Sequence, residues 1–223
     1  MNGKHNTKLI FALVINLAIV LLEIVGLILS VQRHGVGVFM FYTENSNYFA
    51  LIVSIIFSVF AFVELKKGKT IPKWVKVLRH TTTVCLSITF LVVLFVLIPM
   101  MPSMTSYLLV EGSSSFQHVI CPILSIVSFI FFENEKLLEK RDIFLAIIPT
   151  ITYGTIILFL NFIKVITGPY PFFYVYVVPW YFSSSLCVGI FLFGIAISYA
   201  IYFLHNRKLK RQLKEDNLVK ESV

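Results

Sequence analysis

The sequence predicts an all-α membrane protein, a polytopic helix bundle of six transmembrane helices with both termini in the cytoplasm. The chain is 58% hydrophobic and only 13% charged, with a mean hydropathy of +0.88. A soluble domain of this length needs far more polar surface. Neither a Pro-, Gly- or Ser-rich linker nor an internal repeat divides the sequence, so residues 1–223 are predicted to form one domain.

Six apolar runs are long enough for the roughly 20 residues that a transmembrane helix requires. The predicted spans lie near 8–31, 45–65, 76–99, 116–134, 143–164 and 180–204. The first run is too long for a signal-peptide core, so we expect an uncleaved first helix. The charged segment 205–223 is predicted to be a short cytoplasmic tail, a frayed helix against anionic headgroups.

The Lys and Arg residues predict the orientation. Seventeen of the nineteen fall in the amino-terminal tail, the second and fourth loops with their helix edges, and the carboxy-terminal segment. The opposite side carries only Arg33 and Lys164. Because Lys and Arg concentrate in cytoplasmic loops, both termini are predicted to be cytoplasmic. The net charge of +8 then reflects membrane orientation, and no nucleic-acid partner is expected.

Polar side chains gather at the outer ends of several predicted helices. They are Thr43, Asn45, Ser46 and Asn47 in the second helix, Gln117, His118 and Cys121 in the fourth, Asn161 in the fifth, and Ser183, Ser184 and Ser185 in the sixth. In the first helix, Glu23 lies ~22 Å beyond Lys8 and shares a face with Asn16. Polar groups within a membrane need polar partners, so we expect one outer-leaflet pocket.

Two proline-containing segments shape this predicted pocket. Pro122 lacks an N–H, so the carbonyl of His118, four residues earlier, is predicted to lose its helical partner, and the fourth helix is predicted to kink. The segment around Tyr170, between Pro169 and Pro171, cannot be helical. It is predicted to be an extended or turned cap on the outer face.

Thr43 and His118 are the candidate catalytic pair. A threonine nucleophile needs a general base within hydrogen-bond reach, and His118 is the only side chain on the outer side suited to that role. Thr43 is equally placed to be an ordinary helix N-cap, as are Asn45 and Ser46. No known catalytic motif occurs, and the five histidines are too scattered for a metal site, so neither metal nor cofactor is expected.

Glu23 is a further candidate, since a carboxylate in the middle of a membrane is unfavourable unless it is paired or protonated. Three roles are open. It would orient His118, pair with Arg33 or His34, or carry a proton.

Four groups of residues together resemble the androgen-induced gene 1 family and its bacterial relatives. They are Phe41-Tyr42-Thr43-Glu44-Asn45-Ser46-Asn47, Gln117-His118 with Pro122, Pro149 with Tyr153, and Pro169-Tyr170-Pro171-Phe172. Animal members of that family are threonine hydrolases of fatty acid esters of hydroxy fatty acids. The resemblance therefore implies Thr43 as the nucleophile and His118 as its essential partner. The Lys-rich second loop and the short, charged tail depart from the animal members, and the Ile-, Phe- and Lys-rich composition resembles that of bacterial proteins. A bacterial plasma membrane is therefore expected, with a fatty acid ester of a hydroxy fatty acid or a related acyl lipid as the substrate.

These observations favour a membrane-embedded hydrolase that acts on an ester of an acyl lipid. The other candidate residues, for oxyanion or substrate binding, are Asn47, Ser46, Asn45, Glu23 and Tyr170. The alternative is a transporter or lipid-binding protein in which Glu23, Asn16 and His118 line a path. Transporters often show matched repeats, and this sequence has none.

Overall fold

A computed structural model describes residues 3–133 and 136–221, and the regular secondary structure of those residues is entirely helical. The predicted all-helical fold class is therefore confirmed. The long helices are α1 (Gly3–His34), α2 (Tyr42–Lys67), α3 (Lys73–Met100), α4 (Phe116–Phe132), α5 (Lys140–Phe162) and α6 (Trp180–Glu221). Short helical turns at Gly35–Met40, Thr105–Leu109 and Pro171–Phe173 lie in the connections.

Five of these helices, α1, α2, α3, α5 and α6, are long and apolar enough to cross a membrane. The structure is thus compatible with an integral membrane protein. The helix α4 is apolar but shorter, at 17 residues. The last residue of the predicted span 116–134 lies outside the described residues.

The helix α3 lies at the centre of the bundle, packed against α2, α4 and α6. Its buried residues include the small hydroxyl side chains Thr83, Ser87 and Thr89. Small side chains let neighbouring helices approach closely. A hydroxyl on a helix can also bond to its own backbone, as Ser87 Oγ does in donating to the Thr83 carbonyl at 2.7 Å. A polar stripe can therefore be buried in the middle of this bundle.

The helices α1 and α2 pack side by side in opposite directions. Ser30 Oγ donates to Glu44 Oε1 at 3.0 Å, and far along the pair His5 Nε2 lies 3.1 Å from Glu64 Oε1. The end of the bundle at which α2 and α4 begin is called the cavity end below. The opposite end, with the loop 68–72 between α2 and α3, is called the basic end.

The basic end contains a buried ionic network that joins α1, α3 and the end of α4. Arg79 Nη2 lies 2.9 Å from Glu133 Oε1, and both side chains are inaccessible to solvent. Ser128 Oγ and Asn16 Nδ2 donate to the same carboxylate oxygen at 2.7 and 3.2 Å. Lys76 Nζ donates to the Glu133 carbonyl at 2.9 Å. In the sequence, Lys76 and Arg79 served only to predict the membrane orientation. In the structure they also link α3 to Glu133 inside the bundle.

The helix α6 does not stop at the end of its apolar run but continues to Glu221. His205 is fully buried. Asn206 accepts from the Leu138 N–H through Oδ1 and donates to the Leu138 carbonyl through Nδ2, both at 2.9 Å. The predicted tail 205–223 therefore begins inside the bundle, because these polar side chains satisfy backbone groups of the loop before α5.

Candidate functional site

Thr43 lies in the first turn of α2 and is not the residue that caps it. The capping position belongs to Phe41, whose backbone is extended at φ −93° and ψ 132°. Thr43 is 8% exposed, and its backbone N–H donates to the Tyr170 hydroxyl at 3.2 Å. Tyr170 thus satisfies one of the free N–H groups at the start of α2. The interpretation of Thr43 as the N-cap is wrong.

Tyr170 belongs to the connection between α5 and α6, which folds over the cavity end. Its ring stacks on Phe172, with ring centroids 5.2 Å apart. Gly168 permits the fold, because it has φ +98° and a Cβ there would lie 2.8 Å from Phe173 Cβ. Burial raises the pKa of Tyr170 to about 12, although its hydrogen bonds with Thr43 act in the opposite direction. The phenol therefore keeps its proton at neutral pH and can donate it.

His118 reaches the site from the first turn of α4 and is buried, at 6% exposed. Its Nδ1 lies 2.6 Å from the carbonyl oxygen of Leu108 in the short helix before α4. A carbonyl can only accept, so Nδ1 carries the hydrogen, and Nε2 of the neutral ring is the acceptor. A general base needs this tautomer, with an acceptor nitrogen and a partner that fixes the ring.

Thr43, His118 and Tyr170 line one cavity of about 440 Å³, called the polar cavity. Its other polar lining residues are Ser30, Arg33, His34, Glu44, Tyr107, Ser113 and Ser114. Within the described residues no hydrogen bond joins Thr43 to His118. Catalytic hydrogen bonds are often long without substrate and shorten when it binds. The structure therefore brings the predicted pair to one cavity without direct contact.

A second cavity of about 320 Å³, called the apolar cavity, shares part of this wall. Thr43, Leu97 and Tyr170 line both cavities. The remaining lining comes from α2, α3, α5, α6 and the turn at Pro171–Phe173 and is mostly aliphatic and aromatic. Thr43 and Tyr170 therefore lie on the wall between the polar cavity and the apolar cavity.

Glu44 holds the polar cavity together, although it is not among the site residues predicted from the sequence. Its Oε2 accepts from Tyr48 Oη at 3.0 Å and from Gln117 Nε2 at 2.9 Å. Its Oε1 accepts from Ser30 Oγ, which lies 3.0 Å from Ser113 Oγ. The network joins α1, α2 and α4 around the site. The signal was a charged residue in the first turn of an apolar helix, but its partners depend on helix packing.

The first turn of α4 is π-helical, and this changes which residue's carbonyl lacks a hydrogen-bond donor because of Pro122. The Cys121 N–H bonds to the carbonyl of Phe116, five residues earlier. In that register the missing N–H of Pro122 would have bonded to Gln117. The π-helical register therefore points to the Gln117 carbonyl, one residue before the His118 carbonyl that the four-residue spacing of an α-helix predicts.

Asn47 satisfies this carbonyl from α2. Its Nδ2 donates to the Gln117 carbonyl at 3.2 Å and to the Thr43 carbonyl at 2.6 Å. An amide has two donor hydrogens, so neither remains for an oxyanion. The structure places Asn47 as a link between the two helices that carry the candidate pair.

Ser46 and Asn45 also bond to the backbone near the start of α2. Ser46 Oγ donates to the Thr43 carbonyl at 2.9 Å and lies 2.7 Å from Thr89 Oγ1 of α3. Asn45 Nδ2 donates to the Phe41 carbonyl at 2.8 Å. Neither residue lines the polar cavity. Both hold the turn that positions Thr43.

Glu23 is fully buried beside the thiol of Cys121; it does not line the polar cavity, although it is close enough to interact with the charge of Glu44, which does. Neither of its carboxylate oxygens has a hydrogen-bond partner among the residues that the structure describes. Asn16 lies farther along α1, where it bonds to Glu133. The structure therefore does not bring Glu23 and Asn16 into the cavity of His118, as the alternative transport path requires.

The fold and the site together define a class of protein. It is all-helical, has helices apolar enough to cross a membrane, and has a buried threonine and a buried histidine in one cavity at one end of the bundle. In the described part of the chain, no three or more His, Cys, Asp or Glu side chains gather as a metal site would require. The chain matches no protein-family model, no curated protein and no solved structure.

Proposed function

We propose that the protein is a membrane-embedded hydrolase that cleaves an ester of an acyl lipid, with Thr43 as nucleophile and His118 as general base. One observation carries the proposal. Thr43 and Tyr170 line both the polar cavity, which contains His118, and the apolar cavity. An acyl ester has the same two parts, a polar reacting centre joined to an apolar chain.

The reaction follows the logic of an activated hydroxyl nucleophile. His118 Nε2 takes the proton of Thr43 Oγ1 as that oxygen attacks the ester carbonyl carbon. The imidazolium then returns the proton to the leaving alcohol oxygen, and an acyl-threonine remains. Water, activated by the same nitrogen, hydrolyses this intermediate. The Leu108 carbonyl, 2.6 Å from Nδ1, holds the ring in the required tautomer throughout.

Tyr170 is the donor best placed to stabilise the oxyanion. Its oxygen accepts the Thr43 N–H, which leaves its own proton for a substrate oxygen. In enzymes where it has been measured, one such donor contributes about 2.7–4 kcal/mol. Asn47, Ser46 and Asn45 support the backbone around Thr43 instead.

The proposal extends to topology and substrate class. Six spans with cytoplasmic termini would place the cavity end in the outer leaflet of a bacterial plasma membrane. The distribution of Lys and Arg supports this orientation. Membership of the androgen-induced gene 1 family, supported by the motifs around Thr43 and His118, would make the substrate a fatty acid ester of a hydroxy fatty acid or a related acyl lipid.

Labelling with a fluorophosphonate probe and turnover of an acyl ester test the assignment. Wild-type protein and Thr43→Ser should react, whereas Thr43→Val, which keeps the shape but loses the hydroxyl, should not. Thr7→Val is the matched control, because Thr7 is exposed at the basic end and its hydroxyl donates to the nearby Gly3 carbonyl. The Thr43→Val/His118→Gln double variant should be no worse than either single variant. Folded Thr43→Val protein that labels and turns over like wild type would overturn the assignment.

A further inference from the structure

The apolar cavity is longer than the Thr43–His118 chemistry itself requires. It extends from Thr43 along α3, α5 and α6, past residues such as Ile88, Leu158 and Ile190. An ester needs only its carbonyl at the nucleophile. The remaining volume is available to something apolar that is attached to that carbonyl.

Most hydroxyl groups that line this cavity already have partners. Tyr42 Oη lies 2.7 Å from Thr150 Oγ1, and Tyr153 Oη donates to the Met40 carbonyl at 2.6 Å. Thr89 Oγ1 is bonded in the same way to Ser46, as described above. A ligand therefore meets few free polar groups away from Thr43, so an apolar ligand fits the lining.

The cavity reaches the surface of the bundle between α5 and α6. Ile151 of α5 and Phe191 of α6 both line it, yet they are 44% and 37% exposed. Both belong to helices that are long and apolar enough to cross a membrane. The opening therefore faces the side from which a lipid would enter.

Gly154 of α5 widens the cavity. It lies among the lining residues, and a Cβ built at this position would meet nothing within 4 Å. Glycine is unfavourable inside a helix relative to alanine, so local helix propensity does not explain its presence here. A Cβ can therefore be added at this position without contact with a neighbour, and a larger side chain would begin from this space.

We propose that the apolar cavity binds one acyl chain of a membrane lipid, which enters between α5 and α6, and that Gly154 determines the chain length accepted. The inference rests on the proposed function in one respect, that the chain delivers its carbonyl to Thr43. The continuity of the cavity wall through Thr43 and Tyr170 fixes which end of the chain lies where.

Photocrosslinking tests binding without any need for turnover. Wild-type protein in lipid nanodiscs is irradiated with a diazirine analogue of palmitic acid, and the modified peptides are mapped. Crosslinks should lie on the cavity-facing parts of α3, α5 and α6. Gly154→Leu should reduce them to the level seen with excess unlabelled palmitic acid. Gly189→Leu is the matched control, because Gly189 of α6 also has open space around it but does not line the cavity.

A second variant and a second readout keep the outcomes distinct. Cys187→Leu fills the cavity from α6 and should have the same effect if Gly154→Leu fails to fold. Gly154→Leu should also shift ester turnover towards shorter acyl chains. Crosslinks spread over the lipid-facing helices, or unchanged by both filling variants, would overturn the inference. If the crosslinks map to the cavity and respond to the variants but no protein hydrolyses an ester, the hydrolase assignment fails and the binding site stands.

Discussion

At the scale of single residues, Tyr170 and Thr43 show how a loop completes a site that begins on a helix. Phe41 offers no side-chain acceptor at the capping position, and the Tyr170 hydroxyl takes that place from a distant loop. The same oxygen is then fixed beside the candidate nucleophile. One contact thus serves both the start of α2 and the chemistry of the site.

Removal of the Tyr170 hydroxyl should separate these two roles. We expect Tyr170→Phe to lower kcat by about 10²–10³-fold, because loss of one oxyanion donor has that effect in known cases. KM should change little, since the donor acts mainly on the transition state. The measurement is ester turnover with the fraction of folded protein determined in parallel. Tyr181→Phe is the control, because Tyr181 is 61% exposed. A Tyr170→Phe enzyme with wild-type kcat would exclude Tyr170 as the oxyanion donor.

Two buried carboxylates differ in what surrounds them. Glu133 accepts from Arg79, Ser128 and Asn16, whereas Glu23 has no hydrogen-bond partner in the described parts of the chain. Loss of one partner from a buried ion pair leaves the other charge uncompensated. Glutamine in place of Glu133 should therefore lower stability much more than glutamine in place of Glu23.

Glu133→Gln should lower the free energy of unfolding by about 3–5 kcal/mol, because it leaves Arg79 buried without a counter-charge. Glu23→Gln has nearly the same shape and removes no hydrogen bond seen in the structure, so it should leave stability close to wild type. Unfolding of both variants in detergent, side by side, provides the comparison. Equal destabilisation would mean that Glu23 has a partner, such as an ordered water molecule, that its neighbours among the described side chains do not supply.

At the scale of elements, the first turn of α4 sets the position of His118. Pro122 and the π-helical turn leave the Gln117 carbonyl free, and Asn47 of α2 donates to it. The proline and the asparagine are therefore two parts of one local arrangement. The helix that carries the candidate base is therefore hydrogen-bonded at this point to the helix that carries the candidate nucleophile.

Asn47→Leu should lower the free energy of unfolding by about 1–3 kcal/mol, because buried carbonyls lose their donor. Pro122→Ala should compensate part of this loss, since alanine restores an N–H within reach of the Gln117 carbonyl. A double-mutant cycle on thermal or denaturant unfolding measures the coupling. Strictly additive effects would show that the proline and the asparagine act independently.

At the scale of the whole molecule, the two ends of the bundle differ in structure. The cavity end carries the two cavities and the candidate pair, and the basic end carries the buried ionic network. Substrate access therefore depends on which side of the membrane each end faces.

Reporter fusions test the proposed orientation. A reporter after residue 223 or within 66–73 should read as cytoplasmic, and one within 103–114 should read as external, because seventeen of nineteen Lys and Arg residues lie on the predicted inner side. Each fusion should be compared for expression so that a weak signal is not mistaken for a location. An external carboxy terminus would reverse the orientation and place the cavity end in the inner leaflet.

The sequence by itself determined the helical architecture and three residues that line the polar cavity. Apolar runs predicted helices close to the observed α1, α2, α3 and α5, because hydrophobicity over a span of residues is a local property of the chain. It also selected Thr43, His118 and Tyr170, which line one cavity, since polar residues in apolar surroundings are conspicuous.

Only the tertiary structure decided which polar groups meet. Ser30 of α1 bonds to Glu44 of α2, and Arg79 of α3 pairs with Glu133 at the end of α4. Each pair forms because of the rotation and axial position of the two segments, which the sequence of neither segment specifies. An apolar run gives the length of a helix but only weakly its rotation. The π-helical turn before Pro122 and the α2 side chain that donates to the Gln117 carbonyl are likewise not indicated by local α-helical spacing.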